Sequence, residues 1–466
     1  MDNQYDAFYN EVVNALSDCE DFVCRESGEA GARFCLMYIK GITARDYISE
    51  RLLRPMMMLD IKSFDGNFGQ LIESPVLMTP ESAFSAADSI VKGEVLIITE
   101  GDKGFFSTLA NAQYTHGRSI DEPSSDITIR GPKAGFVEDA EINMALLRKY
   151  IRTPALKFRR FTVGSVSETK VILVYVSGRT DGKLINEISK RISELKANVV
   201  TDSANITMLL DGRKTSIFPN CGSTEKVDKL ASKLMSGRVG IIVDGSPFVL
   251  TLPFLFIEGL QASDDYLHTP YYATFIRVLR LFAFISAIFS PAVLCAVVNY
   301  YHDDIPAEFY GIIAESRENI PLSFFWEIAA ILLLFELLRE VGVRMPRTVG
   351  DAVGIVGSII LGNTAVETGL VSSVGVITVA FSAVCAFITP AYMYVIVLAR
   401  LITLLLAELL GIYGLIISAV ALFLMLCAKK SFGVGYMSPL IPFDKKGMRD
   451  FIFCYPKKVL GRKEEF

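Results

Sequence analysis

Four charged side chains interrupt an otherwise apolar segment in the C-terminal half of this chain. Glu327, Glu336, Arg339 and Glu340 fall within residues 320–341, which we predict to cross a lipid bilayer. A carboxylate at mid-bilayer costs about 2.5–3.5 kcal/mol, so it is normally paired or hydrated. The i, i+3 spacing lets Glu336 pair with Arg339, and Glu336 and Glu340 could also meet an arginine of a neighbouring helix. The charges therefore predict either a structural ion pair near the cytosolic interface or part of an ion pathway.

A second segment, 352–371, carries apolar and polar side chains along one helical stripe. Val356, Ile360, Asn363 and Glu367 follow the spacing i, i+4, i+7, i+11. If this stripe lines a pore, Val356 and Ile360 would form a hydrophobic gate, and Asn363 and Glu367 would attract cations. No basic residue lies close to Glu367 in sequence, which favours a pore or proton site at that position.

Small residues recur at intervals of four around the same segment. Gly350, Gly354, Ser358 and Gly362 would line one helical face. This spacing lets helix backbones approach closely in lipid. It predicts either packing within one subunit or packing between the subunits of a pore-forming oligomer, and the pattern favours neither.

The loop Arg130-Gly131-Pro132 is a candidate anion site in the first half of the chain. Its arginine and backbone amides could cradle a phosphate or a carboxylate. The simpler interpretation is a structured linker whose basic residues pair with nearby acids, since no Walker or dinucleotide spacing is present.

Other chemistry has little support in the sequence. No nucleophile–base arrangement stands out, so we predict that the chain is not an enzyme. The histidines at 116, 268 and 302 lie far apart, and the eight cysteines include no Cys-x-x-Cys pair. We therefore expect neither a metal site nor a cofactor.

The elements that must position these residues follow from a composition that changes along the chain. Of the 466 residues, 51% are hydrophobic and 21% are charged, which is typical of a membrane protein. Charges are dense up to about residue 238, whereas 281–301 and 372–399 contain none and 401–428 contains only Glu408. The net charge of −5 argues against nucleic acid as the main partner.

Apolar runs of about 20 residues are long enough to span a bilayer. We predict four spans, at 281–301, 320–341, 372–399 and 401–428, because basic residues flank the first and follow the last on the cytosolic side. The remaining segment, 352–371, is rich in glycine and is expected to be re-entrant. The polar, acidic N-terminus has no signal peptide, so both termini should be cytosolic.

The residue pattern of the first half of the chain predicts an α/β region built from a repeated unit. Residues 34–41 and 171–178 are apolar strands that end in glycine and precede a helical pattern, and residues 94–101 form a further strand with a hairpin-like return. We expect two small α/β subdomains, followed by an α-helical integral membrane domain. The expected boundaries are 1–115 and 150–237 for the subdomains, 116–149 for a linker, 238–430 for the membrane domain and 431–466 for a basic tail.

Most of the chain, roughly residues 94–442, resembles the A subunits of spore germinant receptors, the GerA family. The matching segments are RGP at 130–132, GFVE at 135–138, VDGSPF at 243–248, RENIP at 317–321, ELLRE at 336–340, AVE at 365–367 and GLVS at 369–372. The chain departs from the family where Lys226 and Val227 replace Arg-Pro, and where Asn363 replaces a glutamine. Residues 266–270 and 441–443 look more like the SpoVAF branch.

The resemblance implies a multi-pass protein of the endospore inner membrane that acts with partners. These would be a transporter-like B subunit and a lipoprotein C subunit, or a small membrane partner in the SpoVAF branch. It also implies a homo-oligomer that conducts monovalent cations when a germination signal arrives. The alternative is a non-conducting scaffold that organises the receptor complex. A secondary transporter has less support, since no inverted repeat of broken helices is apparent.

Overall fold

The computed structural model divides the chain into two compact units. It describes residues 3–29, 32–74, 76–113, 132–211, 217–262, 264–265, 268–301, 306–318, 320–344, 362–444 and 447–451. The first unit comprises the described parts of 1–215 and 220–254 together with 431–433, and the remaining described residues form the second.

A first antiparallel sheet follows helix α1 (Asn3–Ala15) in the first unit. Its strands are β1 (Phe22–Glu29), β2 (Ala32–Ile39), β3 (Leu77–Met78), β4 (Glu94–Gly101) and β5 (Gly104–Asn111). They lie in the order β1-β2-β4-β5-β3. The β4–β5 hairpin confirms the predicted return after residues 94–101. Helix α2 (Ala83–Ile90) precedes β4, and short helices lie between β2 and β3 at Arg45–Tyr47, Ile48–Leu53, Arg54–Met58, Ile61–Ser63 and Phe68–Leu71.

Helices cover both faces of this sheet, which explains why its central strands are apolar throughout. Along β2, Cys35 and Met37 pack beneath α1 and α2, whereas Phe34 and Leu36 pack against the short helices of 45–71. Successive side chains of a strand point to opposite faces. An uninterrupted apolar strand is therefore buried on both sides.

A second sheet repeats the arrangement of the first. Its strands are β6 (Leu156–Val163), β7 (Thr169–Val176), β8 (Gly222–Thr224), β9 (Val239–Val243) and β10 (Val249–Leu252). The order β6-β7-β9-β10-β8 is that of the first sheet. Gly41 and Gly178, which follow β2 and β7, both have φ of +82°. The predicted strand-to-glycine repeat is confirmed.

The boundaries of the second sheet differ from those that the sequence suggested. Strands β9 and β10 complete the sheet, so the compact unit continues to residue 254 instead of ending at 237. Helix α3 (Ala140–Tyr150) packs in the same core, although it falls within the expected linker. The apolar β9 falls within the expected membrane half, but it is buried between two helical layers. The other helices of these layers are α4 (Gly182–Ser193), α5 (Ser203–Asp211) and α6 (Val227–Met235).

A buried ion pair joins the two halves of the first unit. Asp21 accepts hydrogen bonds from Nε and Nη2 of Arg148 at 2.8 and 3.1 Å, and both side chains are buried. The backbone nearby pairs with the outer edge of β6, where Phe158 N–H donates to Asp18 O at 2.9 Å. This contact covers a strand edge that would otherwise be open to a second chain.

The second unit is helical. Its main helices are α7 (Pro270–Tyr300), α8 (Ala307–Arg317), α9 (Phe324–Arg344), α10 (Ser373–Phe387), α11 (Met393–Leu410) and α12 (Ile412–Ala428). Short helices lie at Phe256–Leu260, Pro390–Tyr392 and Gly447–Asp450, residues 362–367 are helical, and two-residue strands lie at Lys430–Ser431 and Val434–Gly435. An apolar core that includes Ala292, Phe324 and Leu404 joins α7, α9 and α11.

The last two predicted spans, 372–399 and 401–428, are divided differently in the structure. Three helices occupy this region, because the chain turns at Pro390 and again at Gly411. The predicted boundary near residue 400 was wrong, since Arg400 lies inside α11. Gly411 has φ of +56°, which favours glycine over other residues.

Two of the described helical segments are long and apolar enough to cross a membrane, Pro270–Tyr300 and Pro390–Leu410. Two shorter apolar helices are α10 and α12. Helix α7 has 31 residues and is about 46 Å long at 1.5 Å per residue, which exceeds a hydrocarbon core of about 30 Å. The count of four spans stays a prediction, and so does the re-entrant segment, because 352–361 lie outside the described residues.

Candidate functional site

Among the described residues, two groups of charged and polar side chains inside the helical unit include charges predicted from the sequence. The first centres on Glu327 in the first turn of α9, which is completely buried. Its Oε1 accepts hydrogen bonds from the backbone N–H of Ser372, at 2.8 Å, and from the Ser372 hydroxyl. Ser372 Oγ in turn accepts from Gly375 N–H at 3.0 Å and caps α10. One carboxylate thus fixes the start of a neighbouring helix.

The other oxygen of this carboxylate faces a cation. Arg317 Nε lies 3.4 Å from Glu327 Oε2, which is a charge contact without hydrogen-bond alignment. The Arg317 guanidinium also sits 4.6 Å above the Phe324 ring. Arg317 is the last residue of α8, so the cluster connects α8, α9 and α10.

The second cluster links four helices through Arg400 of α11. Arg400 Nη2 lies 2.6 Å from Glu336 Oε1 of α9, and Arg339 pairs with the other Glu336 oxygen at 2.8 Å. Arg400 Nη1 donates to Ser382 Oγ of α10 at 3.0 Å, and Ser382 donates to the Ala287 carbonyl of α7 at 2.7 Å. Both predicted partners of Glu336 are thereby found, within its own helix and on a neighbouring one.

Arg400 is 2% exposed, whereas Glu336 and Arg339 are each 20% exposed at the side chain. A charge buried to this degree is stable only with a compensating partner. The ion pair therefore depends on the relative position of α9 and α11. Moving either helix would leave the Arg400 guanidinium uncompensated.

Glu340 and Glu408 lie apart from these clusters. Glu340 pairs with Arg344 at 2.6 Å on the exposed side of α9. Glu408 accepts a hydrogen bond from Asn299 Nδ2 of α7 at 2.6 Å. Arg400 lies eight residues before Glu408 on the same helix, about 12 Å along its axis, and pairs with Glu336 instead.

The predicted pore stripe is described only at its C-terminal end. Asn363 and Glu367 are both exposed, and Glu367 lines an open cleft of about 360 Å³ together with Glu315, Ser316 and Thr368. Gly362 is also described, and a Cβ added there would meet no atom within 4 Å in the described part of the chain. Val356, Ile360, Gly350, Gly354 and Ser358 lie outside the described residues.

Of the Arg-Gly-Pro loop, the described part is Pro132, which is exposed; Arg130 and Gly131 lie outside the described residues. The segment after this loop packs within the first unit, because Phe136 is buried and its N–H donates to Glu225 O at 2.7 Å. Within the described ranges, no group of three or more His, Cys, Asp or Glu side chains could hold a metal ion.

Some members of these clusters were missed in the sequence. Ser372 and Ser382 are small polar residues in apolar runs and carry no charge signal. The position of Ser372 before an apolar helix is a helix-capping pattern that could have identified it. The sequence pattern also did not identify Asp265 as an ion-pair partner. It contacts Arg277 and Arg280 at 3.2 and 2.8 Å, whereas the sequence assigns these arginines only to the basic flank of the first span.

Comparison with known proteins gives consistent matches over nearly the whole chain. The family model described as Bacillus/Clostridium GerA spore germination protein matches residues 10–466. Spore germination protein KA of Bacillus subtilis (strain 168) is 34% identical over 455 residues, covering 96% of this chain and 83% of that protein. Spore germination protein A1 of the same organism is 31% identical, with 96% and 93% covered.

Two further matches extend the comparison. The uncharacterized membrane protein YfkQ of Bacillus subtilis (strain 168) is 34% identical, with 96% of this chain and 88% of that protein covered. Among solved structures, the N-terminal domain of the A subunit of the Bacillus megaterium spore germinant receptor GerK3 matches at 24% identity and a TM-score of 0.38. That match covers 53% of this chain and 94% of the other.

Proposed function

Because this chain belongs to the GerA family of spore germination proteins, we propose that it is the A-type membrane subunit of a spore germinant receptor. We further propose that copies of it assemble into a signal-gated channel for monovalent cations in the endospore inner membrane, with both termini in the cytosol. The partners in this proposal are a transporter-like B subunit and a lipoprotein C subunit, or a small membrane partner of the SpoVAF type.

The observation that carries the channel proposal is the buried network around Arg400. Charged residues inside a membrane are costly, and they usually mark ion pathways or switching elements. Here one guanidinium is held by residues of α9 and α10 and, through Ser382, by α7. Such a network strongly stabilises one arrangement of the helices. A second arrangement would be stable only if Arg400 found another partner there, and a gate requires two stable arrangements of this kind.

In the proposed channel, the stripe of Val356, Ile360, Asn363 and Glu367 lines the pore. The first two residues close it when the receptor is at rest, and the last two concentrate cations. The face of Gly350, Gly354, Ser358 and Gly362 would let neighbouring helices pack closely around it. The exposed acidic cleft at Glu367 and Glu315 supports this assignment, because carboxylates at a pore mouth attract cations.

The test is cation flux through the purified full-length protein in liposomes. We expect Val356→Ala to raise basal leak, because a smaller side chain weakens a hydrophobic gate, and Glu367→Gln to reduce cation selectivity. Glu308→Gln removes an exposed carboxylate on α8 that is outside the clusters, and serves as the matched control.

The alternative is a scaffold subunit that organises the receptor without conducting. If an oligomer of confirmed assembly conducts no ions with its partners present, the channel proposal is wrong. If Glu367→Gln instead releases partner subunits and leaves selectivity unchanged, the acidic residue serves assembly and the scaffold is favoured.

A further inference from the structure

Two cysteines on neighbouring strands of the first unit bring their sulfur atoms into contact. The register of β1 and β2 places Cys24 opposite Met37 and Glu26 opposite Cys35, so the cysteines are diagonal neighbours on one face of the sheet. Their Sγ atoms are 3.1 Å apart, and both thiols are free. The two sulfur atoms would have to approach by about 1 Å to reach the S–S bond length of about 2.05 Å.

The two thiols differ in access. Cys24 is half-buried on the edge strand β1, whereas Cys35 is fully buried in the core beneath α1 and α2. The Tyr9 hydroxyl of α1 lies 3.5 Å from Cys24 Sγ. A small oxidant can therefore reach Cys24 more readily than Cys35.

They differ in ionisation as well. The hydrogen bond from the Cys35 thiol lowers the pKa of Cys24 to about 7, and the Tyr9 hydroxyl acts in the same direction. The same hydrogen bond, together with burial, raises the pKa of Cys35. Cys24 therefore ionises to the thiolate, the reactive form, more readily than an ordinary cysteine, while Cys35 remains a thiol that can supply a proton.

We propose that Cys24 and Cys35 form a thiol-oxidation site that reacts with a peroxide, with Cys24 attacked first and Cys35 resolving the product. In the first step the Cys24 thiolate attacks one peroxide oxygen, an S–O bond forms, the O–O bond breaks, and hydroxide leaves and takes up a proton to become water. Cys24 becomes a sulfenic acid.

In the second step Cys35 attacks the Cys24 sulfur. An S–S bond forms, the S–O bond breaks, and the leaving hydroxide takes the Cys35 proton and departs as a second water. Overall, two thiols and one hydrogen peroxide give one disulfide and two waters. The thiols are oxidised by two electrons and the peroxide is reduced by two.

Another cysteine of the same unit serves as an internal reference. Cys19 is buried, and its thiol donates to the carbonyl oxygen of Leu156 at 3.6 Å. Burial raises the pKa of Cys19. This thiol therefore stays protonated at neutral pH and contacts a carbonyl oxygen, whereas Cys24 is partly ionised and contacts a second sulfur.

The experiment uses the full-length protein in detergent, reduced and then treated with hydrogen peroxide or with iodoacetamide at pH 6 to 8. Peptide mass spectrometry follows each cysteine. We expect Cys24 to be alkylated roughly tenfold faster than Cys19 at pH 7, with a rate that rises through a midpoint near pH 7. Peroxide should produce a Cys24–Cys35 disulfide peptide.

The variant Cys35→Ser keeps a hydrogen-bond donor beside Cys24 but removes the resolving thiol. In this variant we expect peroxide to convert Cys24 to a sulfenic acid, which can be detected by labelling with dimedone. The alkylation and disulfide measurements on the wild-type protein do not depend on whether this variant folds. Equal alkylation of Cys24 and Cys19, or peroxide treatment that leaves Cys24 and Cys35 unlinked in the wild type, would overturn the proposal.

Discussion

At the scale of single residues, the helical unit holds its charges by pairing them across helices. Arg400 requires such pairing, because its guanidinium is buried and contacts a carboxylate and a hydroxyl in place of water. Removing one partner of a buried pair typically costs about 3–5 kcal/mol, since the other charge stays buried. Arg339 still faces Glu336, so part of that cost is offset here.

We therefore expect Arg400→Gln to lower the stability of the helical unit by about 2–3 kcal/mol, at or below the lower end of the range for buried pairs. The same change should raise basal cation flux in liposomes, because α9 and α11 lose the contact that fixes their positions. Thermal unfolding in detergent measures the first effect.

Arg344→Gln provides the matched control for this prediction. It breaks the exposed pair with Glu340 and should change stability by less than about 1 kcal/mol. Replacing both Arg400 and Glu336 with apolar residues, Arg400→Met with Glu336→Leu, should recover part of the stability. The buried guanidinium is then removed together with its carboxylate, and Arg339, which loses Glu336, is partly exposed to its surroundings. An Arg400→Gln protein as stable as the Arg344→Gln protein would show that the network does not hold the helices.

At the scale of elements, the turn between α11 and α12 depends on two glycines. Gly411 takes a positive φ, and Gly414 packs so closely that a Cβ there would overlap the Leu406 carbonyl oxygen. The obstacle is backbone, which cannot move aside as a flexible side chain would. Close approach of the two helices therefore requires glycine at 414.

We expect Gly414→Ala to separate the start of α12 from α11 and to lower the thermal midpoint of the full-length protein. Gly342→Ala is the control, because a Cβ at Gly342 in α9 meets no atom of the described residues within 4 Å. That substitution should be neutral or stabilising, since alanine favours helix by about 1 kcal/mol over glycine. Similar midpoints for the two variants would contradict the proposed close contact.

At the scale of the whole molecule, the two units arise from different physical requirements. The first unit buries both faces of two five-stranded sheets under helices. The second unit presents many large apolar side chains outward from its helices, such as Ile377, Leu401 and Phe423. Outward apolar side chains at this density suit a lipid environment better than water.

Because the second sheet is complete only at residue 254, we can predict which N-terminal fragments of the chain will fold. A protein of residues 1–254 contains β9 and β10, whereas one of residues 1–237 lacks them and leaves β7 as an apolar edge. We expect the longer fragment to be soluble and folded and the shorter one to aggregate through that edge. Size-exclusion chromatography and circular dichroism measure both. Comparable soluble, folded yields would show that β9 and β10 are dispensable.

Much of the architecture could be predicted from sequence because it follows local patterns. The strand-to-glycine units at 34–41 and 171–178, the hairpin after 94–101 and the uncharged run of α7 are visible in the order of residue types. The domain boundary before β9 differs from the structure because an apolar strand and the start of a membrane segment have the same composition. Periodicity over five residues does not separate them.

The order of residue types was enough to identify the α/β character of the first half, the apolar helices of the second and the family to which the chain belongs. The pairing of Glu336 with Arg339 could also be predicted, because two side chains three residues apart on a helix are neighbours. Three contacts are visible only in the folded chain: Arg400 joins that pair, Ser372 donates hydrogen bonds to Glu327, and Cys24 contacts Cys35. These contacts connect residues that are 64, 45 and 11 positions apart, and their distances depend on how separate elements pack, which no local pattern records.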